Sequence, residues 1–191
     1  MTVGDGDTDA QLAASAKQGN RAAFDGLVRR HKDPIYRFVR RYIGQPDDAY
    51  DVLQNCFIAA WEGLSRYDTG RPFSPWLRVI ALNKCRDFGR RQTVRRLFLK
   101  AFANEPVPEV ITSPNGADDA EADTAKLAAL DRAIADLPPL YKEPLLLTVV
   151  SGLSHQEAAQ ILGTTSKGVE MRLYRARRRI QQTMNIKEGE G

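Results

Sequence analysis

The stretch from Gly152 to Ile180 constrains this chain more than any other. It reads GLSHQEAAQILGTTSKGVEMRLYRARRRI. Ser154 is placed to cap a helix, and Glu157 three residues on completes a capping box. Ala158, Ile161 and Leu162 follow at helical spacing. Gly163 then ends the helix, as a residue free to take positive φ does. Thr164 or Thr165 can cap the next one. Val169, Leu173, Ala176 and Ile180 repeat at steps of four, three and four, a stripe that turns Arg172, Arg175 and Arg179 toward other faces. A short helix, a tight turn and a longer basic helix is the arrangement that inserts side chains into a major groove. The plainer alternative is an amphipathic helix with a solvated charged face.

Charge is unevenly distributed. The net charge is +4 over 191 residues. Residues 26–100 carry sixteen basic side chains against seven acidic ones, and residues 137–191 carry eight against five. Between them, residues 101–136 carry two basic and eight acidic. Two basic blocks around an acidic one point to two polyanion-binding modules and a connector. No apolar run approaches the roughly 20 residues that span a bilayer, and the acidic Met1–Asp9 segment has no hydrophobic signal core, so neither export nor membrane insertion is expected. Cys56 and Cys85 lie far apart in apolar helical patterns and read as buried thiols in a reducing compartment. With two distant histidines, His31 and His155, they offer no metal-ligand cluster.

The first basic block reads as helical throughout. Asp9 is expected to cap a helix ending near Gln18. Ala22 to Tyr42 continues the pattern, with Phe24, Leu27, Val28, Ile35, Phe38, Val39 and Tyr42 inward. Pro34 either kinks this helix or starts another capped by Asp33. Asp47 to Leu64 is strongly amphipathic. After a Gly/Pro loop, Ser74 caps and Pro75 opens a helix to about Arg91 or a little beyond. Residues 101–123 hold three prolines, six acidic side chains and no Lys or Arg, a linker composition. Helix resumes near Ala122, with Leu127, Leu130, Ile134 and Leu137 inward, and stops at Pro138-Pro139. Another helix is expected over Tyr141–Ser151, with Pro144 in its first turn. The fold class is all-α: two small helical domains, 8–97 and 124–186, joined by a flexible acidic linker at 98–123, the second domain a helix-turn-helix.

Two further constellations carry possible chemistry. Asp47, Asp48 and Asp51 stand about one turn apart. They complement the helix dipole, form part of a docking face with Gln54 and Asn55, or hold a divalent metal. In the second, Phe73, Trp76, Leu77, Ile80 and Phe88 face the core, while Asn83, Arg86 and Arg90 fall on one line. A polar line ending in arginine beside aromatics and a Gly/Pro loop suits single-stranded nucleic acid, where arginine holds phosphate and an amide pairs with a base edge. Gly-rich phosphate loops, His-Glu-x-x-His and nucleophile elbows are missing, so no catalytic, metal or cofactor residues are assigned.

Taken together, these blocks resemble the bacterial extracytoplasmic-function sigma factors over roughly Asp9 to Ile180. Asp51-x-x-Gln54-x-x-Phe57 is similar to the family's polymerase-binding helix. Phe73-x-x-Trp76-Leu77-x-x-Ile80-Ala81-x-Asn83 is similar to its −10-reading segment. Gly152-Leu-Ser154, Glu157-Ala-Ala159, Leu162-Gly163 and Val169-x-x-Arg172-Leu173-x-Arg175-Ala176-Arg177 resemble its −35-reading helix-turn-helix. The resemblance implies a non-enzymatic, cytoplasmic, nucleoid-associated subunit. Its expected partners are the β′ and β subunits of core RNA polymerase, promoter DNA that is duplex at −35 and single-stranded at −10, and an anti-sigma factor. It implies polymerase contacts at Asp51, Gln54, Asn55 and Phe57. It implies −10 contacts at Arg71, Phe73, Arg78, Asn83, Lys84, Arg86, Arg90 and Arg91, with the pocket for a flipped base at Asn83 and the loop Asp68–Ser74. It implies −35 contacts at Thr165, Lys167, Glu170, Met171, Arg172, Tyr174, Arg175 and Arg178. Two positions depart from the family pattern: Asn55 where an acidic residue is usual, and Glu170 where a basic one is frequent. Two rival readings remain at this point, a dimeric helix-turn-helix repressor or activator and a metal-dependent nucleic-acid-processing enzyme built on Asp47, Asp48 and Asp51.

Overall fold

The computed structural model describes residues 7–102 and 119–188, and in them every regular element is helical. The chain divides into two compact units, Met1–Arg86 and Asp87–Gly191.

The first unit opens with α1 (Asp9–Lys17). Its cap is Thr8, not Asp9: Gln11 N donates to Thr8 Oγ1 and Thr8 N donates to Gln11 Oε1, a capping box one residue earlier than expected. That frees Asp9 for long-range pairing. Arg30 Nη1 meets Asp9 Oδ1 at 2.6 Å, and His31 Nε2 lies 2.7 Å from Oδ2. His31 is therefore a buried structural histidine, while His155 is exposed. Burial pushes the Asp9 carboxyl upward, but the Arg30 and His31 contacts outweigh it and hold it below its ordinary value of 3.8. A depressed folded value stabilises the protein above the unfolded value, and that contribution is lost as pH falls through the folded one. Asp9→Asn is expected to cost about 1 kcal/mol at neutral pH, since the pair is partly solvated. The deficit should shrink below about pH 3.8, where the wild type loses the same charge; urea titrations at the two pH values check this.

Helix α2 (Arg21–Ile43) is capped by the Asn20 side chain and closed by Gly44 at φ 89°. It is one helix, so Pro34 neither starts a new element nor ends this one. Proline removes one ladder bond, and the apolar stripe Leu27, Ile35, Phe38, Val39, all buried, holds the helix across it. Helix α3 (Pro46–Gly63) starts with proline at its first position, where the missing N–H costs no bond. It buries Ala49, Val52, Leu53, Cys56, Phe57 and Ala60. Cys56 and Cys85 are fully buried and not joined in a disulfide, and burial pushes the Cys56 thiol up to about 12, against an opposite pull from Lys84. Such a thiol is unreactive at neutral pH.

A 3₁₀ turn at Leu64–Arg66 and a short loop lead to α4 (Phe73–Phe102). This helix begins one residue before Ser74 and continues well past Arg91. The reason lies in its composition: after Gly89 no glycine or proline appears before Pro106, and Arg, Leu, Lys and Ala are good helix formers. Of the expected linker at 98–123, the described parts, 98–102 and 119–123, are helical, and 103–118 lie outside the described residues.

The second unit contains α5 (Asp119–Ala135), α6 (Pro139–Leu145), α7 (His155–Leu162) and α8 (Ser166–Glu188). Among the described side chains of α5 and those just beyond it, the buried ones are Ala133, Ile134 and Leu137. Leu127, expected inward, is exposed instead because it sits two turns above that contact. Helix α6 starts at Pro139, two residues earlier than expected, which puts Pro144 in its second turn, buried. The chain then widens into a π turn at Leu146–Val150, closed by Ser151 N donating to Leu146 O at 3.0 Å. Lys142, nearly buried, donates from Nζ to the Ala135 carbonyl and so satisfies the open C-terminal end of α5.

Candidate nucleic-acid interfaces

The helix-turn-helix is built as its residues dictate. Glu157 N donates to Ser154 Oγ at 3.2 Å, and Ser154 N donates to Glu157 Oε2 at 2.8 Å. The hydrogen bonds from the Ser154 hydroxyl and amide lower the Glu157 carboxyl below its ordinary value. Gly163 adopts φ 61°, ψ 42°, the left-handed closure its position calls for. Of the two candidate caps for α8, Thr165 is the one used: Gly168 N donates to its Oγ1 at 3.0 Å. A Cβ at Gly168 would come within 2.7 Å of Thr164 Oγ1, so a larger residue there forces the Thr164 side chain to shift.

Val169, Leu173 and Ala176 are buried, and that fixes the phase of α8. Lys167, Glu170, Met171, Tyr174, Arg175 and Arg178 are all exposed, Tyr174 by 62%, along one side of the helix. Thr165 is exposed at the start and Arg172 is half-buried. Lys167 Nζ pairs with Glu170 Oε2 at 3.1 Å, so the two charges cancel locally. Arg179 is occupied elsewhere: its guanidinium sits 4.9 Å over the Tyr141 ring.

On α3 the exposed line is Asp47, Asp51, Gln54, Asn55 and Ile58. Asn55 Nδ2 donates to the Asp51 carbonyl at 2.8 Å, which stands the amide against its own helix. Phe57, expected as the apolar anchor of this face, is only 9% exposed and belongs to the core. The outward apolar groups are Ile58, 55% exposed, and Tyr50, which stacks on Tyr36 at 4.6 Å between ring centroids. Ile58 lies seven residues after Asp51, so a helical projection locates it. Among the described residues no group of three His, Cys, Asp or Glu side chains is placed to hold a metal ion, the three aspartates of this helix included.

The start of α4 carries an aromatic cluster. Phe73 is buried, with His31 at 5.3 Å, Trp76 at 5.4 Å and Tyr67 edge-on at 5.6 Å. Phe73 therefore packs in the core, as its spacing predicts, and its ring is not exposed for the contact that the resemblance implies. Trp76 is half-buried and lies over Gly63. Beyond this cluster, Asn83, Arg90 and Arg91 are exposed, as is Arg71 in the loop before it. Arg90 is paired with Asp87, and Arg71 with Asp68 at 3.4 Å. Arg78, Lys84 and Arg86 are half-buried. Burial lowers the Arg78 pKa, and its Nε has no hydrogen-bond partner. A buried unpaired donor costs free energy that an incoming acceptor recovers. The helix extension adds Arg95 and Arg96, exposed basic groups beyond the expected end.

These faces coincide with known sequence families. The Sigma-70 region 2 model matches residues 27–95, and the Sigma-70 region 4 model matches residues 127–180. RNA polymerase sigma factor NccH of Alcaligenes xylosoxydans xylosoxydans is 36% identical over 92% of this chain and 94% of its own length. ECF RNA polymerase sigma factor SigM of Mycobacterium tuberculosis is 32% identical over 91% of this chain and 83% of its own. Among solved structures, CnrH in complex with the cytosolic domain of CnrY superposes with a TM-score of 0.67 at 33% identity, covering 94% of this chain and 99% of that one. With two sigma-70 regions in order and relatives matched nearly end to end, this chain belongs to the extracytoplasmic-function RNA polymerase sigma factors.

Proposed function

We propose that this sigma factor directs promoter-specific transcription by dividing the work among three faces: the α3 line for core polymerase, the Asp68–Pro72 loop with Asn83 for the opened −10 strand, and the outer side of α8 for the −35 duplex. The observation that carries the division is that one chain holds a complete helix-turn-helix in one unit. Its other unit presents an acidic-polar helix face together with a basic, amide-bearing one. A repressor needs only the first, and binds duplex alone. A sigma factor needs a polymerase face as well, and acts where polymerase is, in the cytoplasm. The family is a non-catalytic one, and the residues at these faces bind and orient without making or breaking bonds.

The chemistry of each face fits its task. Extruding a base from the stack costs a few kcal/mol, and a pocket that hydrogen-bonds the base offsets it. Asn83 offers a donor and an acceptor for that purpose. Arg71, Arg90 and Arg91 supply phosphate contacts beside it. On α8, Arg175 can bond a guanine edge in two places, and Glu170 can accept from cytosine N4. The complex of CnrH with CnrY's cytosolic domain supports a protein partner here too, which we read as an anti-sigma factor.

Run-off transcription with purified core polymerase and a promoter library tests the whole reading: specific initiation supports it, and tight DNA binding by the chain alone as a dimer favours a repressor. The docking face is tested separately. Asp51→Ala with Gln54→Ala removes two exposed side chains, so the first unit should keep its melting temperature. Affinity for core polymerase should fall by about 1–3 kcal/mol, the range of interface truncations that matter. A pull-down with undiminished affinity would make this face structural only.

A further inference from the structure

We propose that α1 is a buttress for the strand-reading loop, and that Lys17 and Asp9, at its two ends, are positioning residues for −10 recognition; this rests on the assignment of the Asp68–Pro72 loop and Asn83 to the opened strand. Helix α1 precedes residue 27, where the sigma-70 region 2 match begins. Yet each end of it reaches one end of the loop. At its C-terminal end, Lys17 Nζ donates to the Tyr67 carbonyl at 2.9 Å. Tyr67 in turn donates its hydroxyl to the Arg71 carbonyl and sets its ring 4.6 Å from Trp76. The backbone between is closed by Arg71 N donating to Asp68 O and by Gly70 N donating to Asp68 Oδ1, both at 3.0 Å. At its N-terminal end, Asp9 holds His31 at 2.7 Å, and the His31 ring packs on Phe73, the first residue of α4.

The loop tip itself is exposed at Asp68, Gly70, Arg71 and Pro72. It has no core of its own, so its shape comes from Tyr67 and Phe73, and these two residues are braced from α1. A loop held in its binding shape loses less conformational freedom when the strand arrives, and that difference appears as affinity for the correct base. Without the brace, the loop accommodates wrong bases more readily and the correct one less well.

Lys17 is exposed, so its removal leaves the core intact. The test uses holoenzyme assembled from the full chain and core polymerase, with permanganate footprinting on promoters carrying every base at each −10 position. Lys17→Ala is expected to narrow the preference for the best base roughly three- to tenfold, the scale of one charged hydrogen bond partly open to water. Core affinity should stay unchanged, the melting temperature should fall by only a few degrees, and Lys17→Arg, which keeps a donor, should restore the preference. Asp9→Asn should narrow it in the same direction. Asn83→Ala runs beside them as the control for the pocket. If Asn83→Ala loses discrimination while Lys17→Ala keeps the wild-type ranking and spread, the buttress is overturned and the pocket stands. If neither variant changes discrimination, the pocket assignment falls and the buttress with it.

Discussion

Asn83→Ala is expected to abolish discrimination at one position of the −10 element, at a cost of about 1–3 kcal/mol for the preferred base, the usual scale of a mismatched base in a specific site. A buried asparagine would make this experiment ambiguous, because truncation there strands its backbone partner and unfolds the domain. Asn83 is exposed, in the middle of α4, one turn beyond Val79 and on the same side as the exposed Arg90. Alanine is the better helix former at such a site by several tenths of a kcal/mol. The melting temperature should therefore hold or rise slightly while selectivity falls. The same variant should bind core polymerase normally, since the α3 line is untouched. Permanganate reactivity across a promoter set with every base at each −10 position reads the result. An unchanged ranking of promoters would remove Asn83 as a base reader and move the pocket into the loop.

The helix-turn-helix was legible down to individual caps because each of its signals is local. A capping box spans four residues, a left-handed glycine is one residue, and the Val169–Leu173–Ala176 stripe fixes the phase of α8 by itself. The three faces were legible as faces for the same reason. Single residues were misplaced where local signals compete. Thr8 and Asp9 are both good caps, and only the distant pair with Arg30 and His31 decides between them. Phe57 and Ile58 are adjacent, and an error of one position in helical phase exchanges core for surface. Phe73 reads as a core residue from its spacing and as a −10 contact from the resemblance, and Tyr67, Trp76 and His31 enclose it as the first reading expects. The Lys17–Tyr67 contact spans fifty residues of sequence and leaves no periodic trace.

Arg175→Ala is expected to lower initiation from promoters that depend on the −35 element by about 1–3 kcal/mol, provided its guanidinium makes a bidentate base contact. Arg175 lies one turn after Met171, beside the exposed Tyr174, while Val169 and Leu173 are buried on the other side of α8. Removing an exposed side chain should leave the unit's stability within about 0.5 kcal/mol. Arg178, one turn further on and also exposed, provides the comparison. A phosphate contact weakens binding evenly across sequences and flattens its salt dependence, whereas a base contact relaxes preference at one position and leaves the salt slope nearly unchanged. Run-off transcription across −35 variants at two salt concentrations separates the two. Arg175→Ala should compress the ranking of −35 sequences, and Arg178→Ala should lower all of them together. A uniform loss with Arg175→Ala would make it a phosphate clamp, and reading of the duplex would then fall to Glu170, Met171 and Tyr174. In the free protein Lys167 Nζ holds Glu170 Oε2 at 3.1 Å, and the carboxylate's second oxygen still has acceptor sites for a hydrogen bond from cytosine.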